Sequence, residues 1–79
     1  MKAIRRLGDT PARRGDTTNV SGSPDILELD DGSFAVIGVD ITDALGRQPL
    51  PDARCAPDER IVRVTRQTLL AARRDIPAG

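Results

Sequence analysis

Acidic side chains are the residues of this chain that could do chemistry together, and five of them lie between residues 28 and 43. The acids that share this region are Glu28, Asp30, Asp31, Asp40 and Asp43. Several carboxylates from one loop are what Ca²⁺ or Mg²⁺ requires, but an EF-hand loop alternates its ligands and ends in a glutamate about twelve residues after the first, and that spacing is missing. We therefore interpret the first three acids as a solvated hairpin tip and the last two as the start of a helix, and we expect no metal site.

Groups that could catalyse a reaction are few. General acid–base catalysis by Asp40 and Asp43 needs a pocket that raises one pKa, and a chain of 79 residues can barely build one. Nucleophilic catalysis by Cys55 lacks a base, because the chain has no histidine. The glycines follow no phosphate-binding pattern. The sequence thus predicts a protein that is not an enzyme and has no cofactor, with Cys55 as a loop thiol.

Arginines near the N-terminus offer a second kind of site. Arg5, Arg6, Arg13 and Arg14 precede the acidic segment and could follow the phosphates of a nucleic acid. Against this, the sequence predicts no aromatic platform for bases and no second helix for a helix-turn-helix. Nucleic-acid binding is therefore the alternative function, and a protein partner is favoured.

The composition constrains the compartment. The formal net charge is zero, from 12 basic and 12 acidic residues, which argues against a wholly basic nucleic-acid binder. With a single cysteine no internal disulfide framework can form, so a reducing cytoplasm is expected. The N-terminal basic residues precede no apolar stretch, and nowhere do about 18 apolar residues run together, so we expect neither a secretory signal nor a membrane span.

A β-hairpin is the clearest structural pattern. Residues 24–38 read PDILELDDGSFAVIG, with two apolar runs on either side of Asp31-Gly32. This dipeptide is typical of a two-residue turn, which would place Leu29 opposite Phe34. Because the second run is apolar on both faces, we expect it in the interior of a sheet or at an interface.

The remaining elements complete a small α+β fold. Residues 1–23 hold few large apolar side chains and are predicted to be a flexible basic arm, followed by a single domain over 24–79. A third strand is expected over 61–64, and a helix over 66–76 begins after the N-cap Thr65. The predicted fold is a small antiparallel sheet, made of the hairpin and a third strand, with a C-terminal helix.

The predicted core is too small for independent stability. Phe34 is the only aromatic residue and is expected in the core, while the helix is expected to bury a stripe of Leu69, Leu70, Ala72 and Ile76. Domains of about 55 residues without a disulfide or metal are marginal, so we expect a homo-oligomer or a protein partner. The residues predicted to form the contact are Ile26, Leu27, Phe34, Val36, Ile37, Val39, Leu69 and Leu70.

The order of these elements resembles a known family. The segments DILELDDGSFAVIG and RIVRVTRQTLLAARRDI are similar in pattern to the small actinobacterial regulatory proteins encoded beside helix-turn-helix regulators, the bald B-like family. This chain has neither the tryptophan usual in the helix of those proteins nor the Arg-Asp-Ser sequence of their second strand. The resemblance implies a dimeric, non-enzymatic regulatory partner of a transcription regulator.

Overall fold

The computed structural model describes residues 1–15 and 24–77. Its elements in chain order are β1 (Ala3–Arg6), α1 (Pro11–Arg14), β2 (Asp25–Leu29), β3 (Phe34–Ile37), β4 (Val39–Asp40), α2 (Thr42–Leu45), β5 (Val62–Arg63), α3 (Arg66–Ala72) and a 3₁₀ turn (Arg73–Asp75). The fold is α+β, with small antiparallel sheets and a C-terminal helix, which confirms the predicted class.

The main sheet has three antiparallel strands in the order β1-β2-β3. Strand β1 comes from the N-terminal segment and pairs with β2, with Arg6 opposite Leu27. The flexible arm predicted for residues 1–23 is therefore wrong for residues 1–15, and residues 16–23 lie outside the described residues. The sheet's third strand is supplied by the segment that composition alone assigned to disorder.

Ion pairs hold this N-terminal segment on the sheet. The buried Asp25 carboxylate accepts hydrogen bonds from Arg6 Nε at 2.8 Å and Nη2 at 3.2 Å, and Arg14 Nη1 lies 3.7 Å from it. Thr10 caps α1, its hydroxyl accepting from the Arg13 N–H at 3.3 Å. A buried carboxylate is costly without its cationic partners, so the charges that suggested disorder instead order this part of the chain.

The β2–β3 hairpin differs from its predicted register by one residue. Glu28 lies opposite Phe34, where a two-residue turn would have placed Leu29. The loop spans three residues, 30–32, and only Gly32 in it has a positive φ, of 88°, which is typical of a type I turn followed by a bulge. Because a slip of one residue moves each side chain to the other face, the predicted cross-strand pairs are wrong.

Gly38 separates the hairpin from a second sheet. A Cβ atom at Gly38 would overlap the carbonyl oxygen of Arg63, so the close approach of β5 requires a glycine there. Strand β4 then pairs with β5, with Val39 opposite Arg63, as a two-stranded antiparallel sheet. The strand predicted over 61–64 is present as β5, over Val62–Arg63. Strand β3 lies at an edge of the main sheet, so of its two predicted positions the sheet interior is wrong, and the interface stays a prediction.

Helix α3 begins at the predicted cap but buries an unexpected face. Thr65 Oγ1 accepts from the Thr68 N–H at 3.2 Å, which confirms the N-cap. The buried residues of the helix are Thr68 and Ala72, whereas Leu69 and Leu70 are more than half exposed. The expectation that the leucines face the core is wrong, because the helix packs through its small side chains.

The core lies between α3, strand β2 and Leu7, the residue that directly follows β1. Its buried apolar residues, among the described ones, are Leu7, Ile26 and Ala72. The Leu7 N–H donates to the Ile26 carbonyl at 2.9 Å, which places these two residues side by side beneath the helix. Phe34 is 43% exposed, so its expected place in the core is also wrong.

Candidate interaction surface

The two acids at the hairpin tip serve the loop itself. Asp31 Oδ1 accepts from the Ser33 hydroxyl and from the Ser33 N–H at 2.9 Å, and these two bonds, the hydroxyl first, hold the pKa of Asp31 below its usual value. Asp30 Oδ1 accepts from the Lys2 N–H at 3.2 Å. Both carboxylates are exposed, so the tip presents negative charge to solvent while its turn is fixed by hydrogen bonds.

Asp40 organises the start of α2. Its Oδ1 accepts from the Thr42 hydroxyl at 2.7 Å and from the Thr42 N–H at 3.0 Å, and its Oδ2 accepts from Arg60 Nε at 2.9 Å. These bonds, with the Thr42 hydroxyl first, lower the pKa of Asp40 to about 2. Asp43 lies in the first turn of the helix, as the sequence predicted. In the described part of the chain, no three side chains of metal-binding type are grouped closely enough to share an ion.

Cys55 lines a shallow open cavity with a volume of about 170 Å³. The lining residues are Pro49, Ala53, Arg54, Cys55 and Ile61. Arg47 Nη1 lies 3.5 Å from the Cys55 sulfur. Because this lining holds no carboxylate or imidazole to take a proton from the thiol, the arrangement does not provide an activated nucleophile.

The arginines of the nucleic-acid hypothesis are mostly bonded within the fold. The partners are Glu28 for Arg5 at 2.7 Å, Asp25 for Arg6 at 2.8 Å, and the carbonyl oxygens of Asp9 and Pro24 for Arg14. The Arg14 side chain is also only 2% exposed, whereas Arg13 lies exposed on α1. A phosphate would have to displace these bonds, so the structure does not bring the four arginines together as a phosphate-binding set.

The residues predicted to form a protein interface divide into a buried pair and an exposed group. Ile26 is buried and Leu27 is half-buried, so neither is open to a partner. The exposed members are Phe34, Val36, Ile37, Val39, Leu69 and Leu70, each more than 40% exposed. Single exposed apolar residues are ordinary on protein surfaces, and others such as Ile4, Leu45 and Leu50 are exposed elsewhere in this chain. The six on β3, β4 and α3 make these elements the candidate interaction surface.

The part of this group on the main sheet forms what we call the hairpin surface, comprising Asp30, Asp31, Phe34 and Val36. Val36 lies directly opposite Ile26, so the two share one face of the sheet. The core covers Ile26, while Val36 remains 46% exposed. The hairpin surface is therefore the uncovered continuation of the face on which the core is built.

The helix surface comprises Arg66, Leu69, Leu70 and Arg73. At 100° per residue these four positions fall within about 100° of one another, on the side of the helix away from Thr68. All four are exposed, and neither arginine forms an ion pair with another described residue. The outer side of α3 is thus an apolar pair flanked by two positive charges.

Sequence reasoning missed that Arg66 and Arg73 lie beside exposed leucines, and that Ile76 is 53% exposed. A signal was present in the helix itself, because Thr68 and Ala72 are small residues one turn apart. Such a pair indicates the side on which a helix can approach a sheet closely. The helical spacing of the larger apolar residues, Leu69 and Leu70, instead indicated a different buried side.

Comparisons with known protein families, with characterised proteins and with solved structures give no match. Among the helices that the structure describes, none is long and apolar enough to cross a membrane.

Proposed function

We propose that this chain is a small, non-enzymatic protein-interaction module of the cytoplasm that acts as the regulatory partner of a transcription regulator. The observation that carries the proposal is the group of exposed apolar side chains on β3, β4 and α3. A monomeric protein gains nothing from placing Leu69 and Leu70 in water when the buried apolar cluster of its described residues consists of Leu7, Ile26 and Ala72. An interaction module, by contrast, requires such a surface.

The distribution of the ionisable groups supports a non-enzymatic role. The carboxylates form structural hydrogen bonds and ion pairs: Asp31 accepts from Ser33 in the hairpin loop, and Asp40 accepts from Arg60. None of these pairs lies in the cavity beside Cys55. Catalytic acids and bases work in clefts that hold a substrate, and these pairs instead hold the chain together.

The regulatory part of the proposal comes from the resemblance to the bald B-like proteins. The alternative of an accessory nucleic-acid-binding protein has less support, because Arg5, Arg6 and Arg14 are committed to bonds within the fold. A regulator of transcription that acts through protein contact needs no phosphate-binding surface of its own.

Affinity capture from the native cell, compared across three forms of the chain, tests this function. The wild type and a Leu50→Asp control should both capture a DNA-binding regulator, and a Leu69→Asp/Leu70→Asp variant should lose it. Leu50 and Leu69 are 59% and 57% exposed, so the control introduces an aspartate at an equally exposed leucine, one negative charge against two in the double variant. Capture of the same proteins by all three forms, or of no transcription regulator by the wild type, would reject the proposal.

A further inference from the structure

The hairpin surface and the helix surface are complementary to each other. Asp30 and Asp31 place two negative charges in the loop that leads into β3, while the charges beside Phe34 on its own face, those of Arg5 and Glu28, form an ion pair with each other. The helix surface places two positive charges beside its two leucines. From this complementarity we infer that a second copy of the chain covers both surfaces, with the helix surface of each protomer packed on the hairpin surface of the other. This inference rests on the proposed function: the dimer covers the hairpin and helix surfaces, and a regulator that binds the dimer would contact exposed apolar residues outside them, such as Ile37 and Val39.

Each surface has the anatomy of half an interface, with apolar side chains at its centre and charges at its margin. On the sheet face that carries the core, the protomer's own helix covers Ile26 and leaves Val36 and Phe34 exposed. A second α3 laid over β3 would extend that layer and cover both residues. Charges of opposite sign at the margins then fix the orientation of the incoming helix.

The proposed contact forms a closed two-fold dimer. If the helix surface of one protomer contacts the hairpin surface of its partner, a two-fold axis forms the same contact a second time and leaves neither surface open. A stable interface buries about 800 Å² per protomer, which is about a seventh of the chain's 5800 Å² of accessible surface. A surface of four residues does not reach that area alone, so both must be engaged together.

Charge reversal in two separate variants tests the pairing. The hairpin variant, Asp30→Lys/Asp31→Asn, makes the tip positive, and asparagine keeps the Oδ1 acceptor that holds Ser33. The helix variant, Arg66→Glu/Arg73→Glu, makes the helix surface negative. Each variant alone brings like charges together at both contacts, whereas an equimolar mixture restores opposite charges at both contacts of a heterodimer.

Light scattering coupled to size-exclusion chromatography measures the result across a range of protein concentrations. The wild type should have twice the 8.5 kDa mass of the chain and should dissociate as salt rises. Each variant alone should dimerise at least about tenfold more weakly, and the mixture should return to within about threefold of the wild type. Far-UV circular dichroism with a thermal melt establishes that both variants are folded.

Three results would overturn the inference. The first is a wild type that stays monomeric or forms assemblies larger than a dimer. The second is a folded variant that dimerises as well as the wild type. A dimer joined through the edge strands β3 would give this result for the helix variant, because that contact does not involve Arg66 or Arg73. The third is a mixture that fails to restore the dimer. Capture of a regulator is measured separately, so a monomeric chain that still captures one through Leu69 and Leu70 would reject the dimer and leave the proposed function standing.

Discussion

Replacement of Leu7 by alanine tests whether the N-terminal segment belongs to the core. Leu7 is 1% exposed and packs with Ile26 and Ala72. Removing a buried leucine side chain costs about 2–5 kcal/mol, the sum of lost burial and the cavity left behind. A stable chain of 79 residues has a total free energy of unfolding of about 4–12 kcal/mol. The substitution should therefore remove a large part of the stability or unfold the protein.

Phe34→Ala is the matched comparison, because it removes the only aromatic side chain. Phe34 is 43% exposed and lies on an edge strand, so its removal leaves no closed cavity. The expected loss is about 1.5 kcal/mol or less, roughly half the value of burying such a side chain completely. The fold inferred from the sequence requires the opposite order, with Phe34 in the core and Leu7 in a mobile arm.

Urea unfolding followed by far-UV circular dichroism measures both losses, since the chain has no tryptophan or tyrosine to report by fluorescence. Two protein concentrations are needed, because a partner copy bound at Phe34 would add stability that grows with concentration. At the lower concentration Leu7→Ala should cost more than Phe34→Ala. Equal losses, or a loss below about 1 kcal/mol for Leu7→Ala, would show that the N-terminal segment does not contribute to the core.

Two further substitutions test local features of the fold. Because the pKa of Asp40 is lowered from 3.8 to about 2, its charge stabilises the folded state fully above about pH 4 and ceases to do so as the pH falls through about 2. Asp40→Asn should therefore flatten the dependence of unfolding free energy on pH in that window, and an unchanged slope would contradict the assignment. Gly38→Ala should destabilise by about 1–3 kcal/mol, because the new Cβ overlaps the Arg63 carbonyl. Gly32→Asn, with open space around it, should cost less than about 1 kcal/mol, and equal losses would refute the close approach of β5.

Local patterns predicted the elements that are specified by neighbouring residues. The Thr65 cap depends on one hydroxyl that accepts from the N–H of Thr68, three residues later. Both residues lie in the same short segment, so the sequence alone indicates the cap. The hairpin was found for the same reason, since two apolar runs flank a glycine turn. The register of the hairpin was not predicted correctly, because the choice between a two-residue and a three-residue loop depends on which face of the sheet packs against the helix. In this protein that face carries Ile26, which packs with Leu7 and Ala72, and both of these residues are distant from the turn in the sequence.

The N-terminal segment shows where composition fails as a guide. Few large apolar residues and many arginines suggested that residues 1–23 could not offset their ordering entropy. In the described part of that segment, the buried Leu7 and the ion pairs of Arg6 and Arg14 with Asp25 provide the missing interactions. The partners in these pairs are far apart in the sequence, as Arg6 and Asp25 are, so a local sequence pattern does not reveal them. The predicted arm also underlies the nucleic-acid hypothesis, because arginines outside a fold are available to phosphates, whereas Arg6 and Arg14 are bonded within this one.

The same close packing that hides the small residues of α3 explains why its large ones are exposed. Thr68 and Ala72 allow the helix to approach the strands closely, and a leucine at either position would hold it away. The helix must then carry its leucines on the outer side, where they add nothing to the stability of one chain. Their apolar area contributes only when another surface covers it, so the protein's stability and its binding are linked through the same side chains. Under the proposed function, a substitution at Leu69 or Leu70 should weaken association and leave the fold of the isolated chain intact, which would separate the interaction surface from the core that supports it.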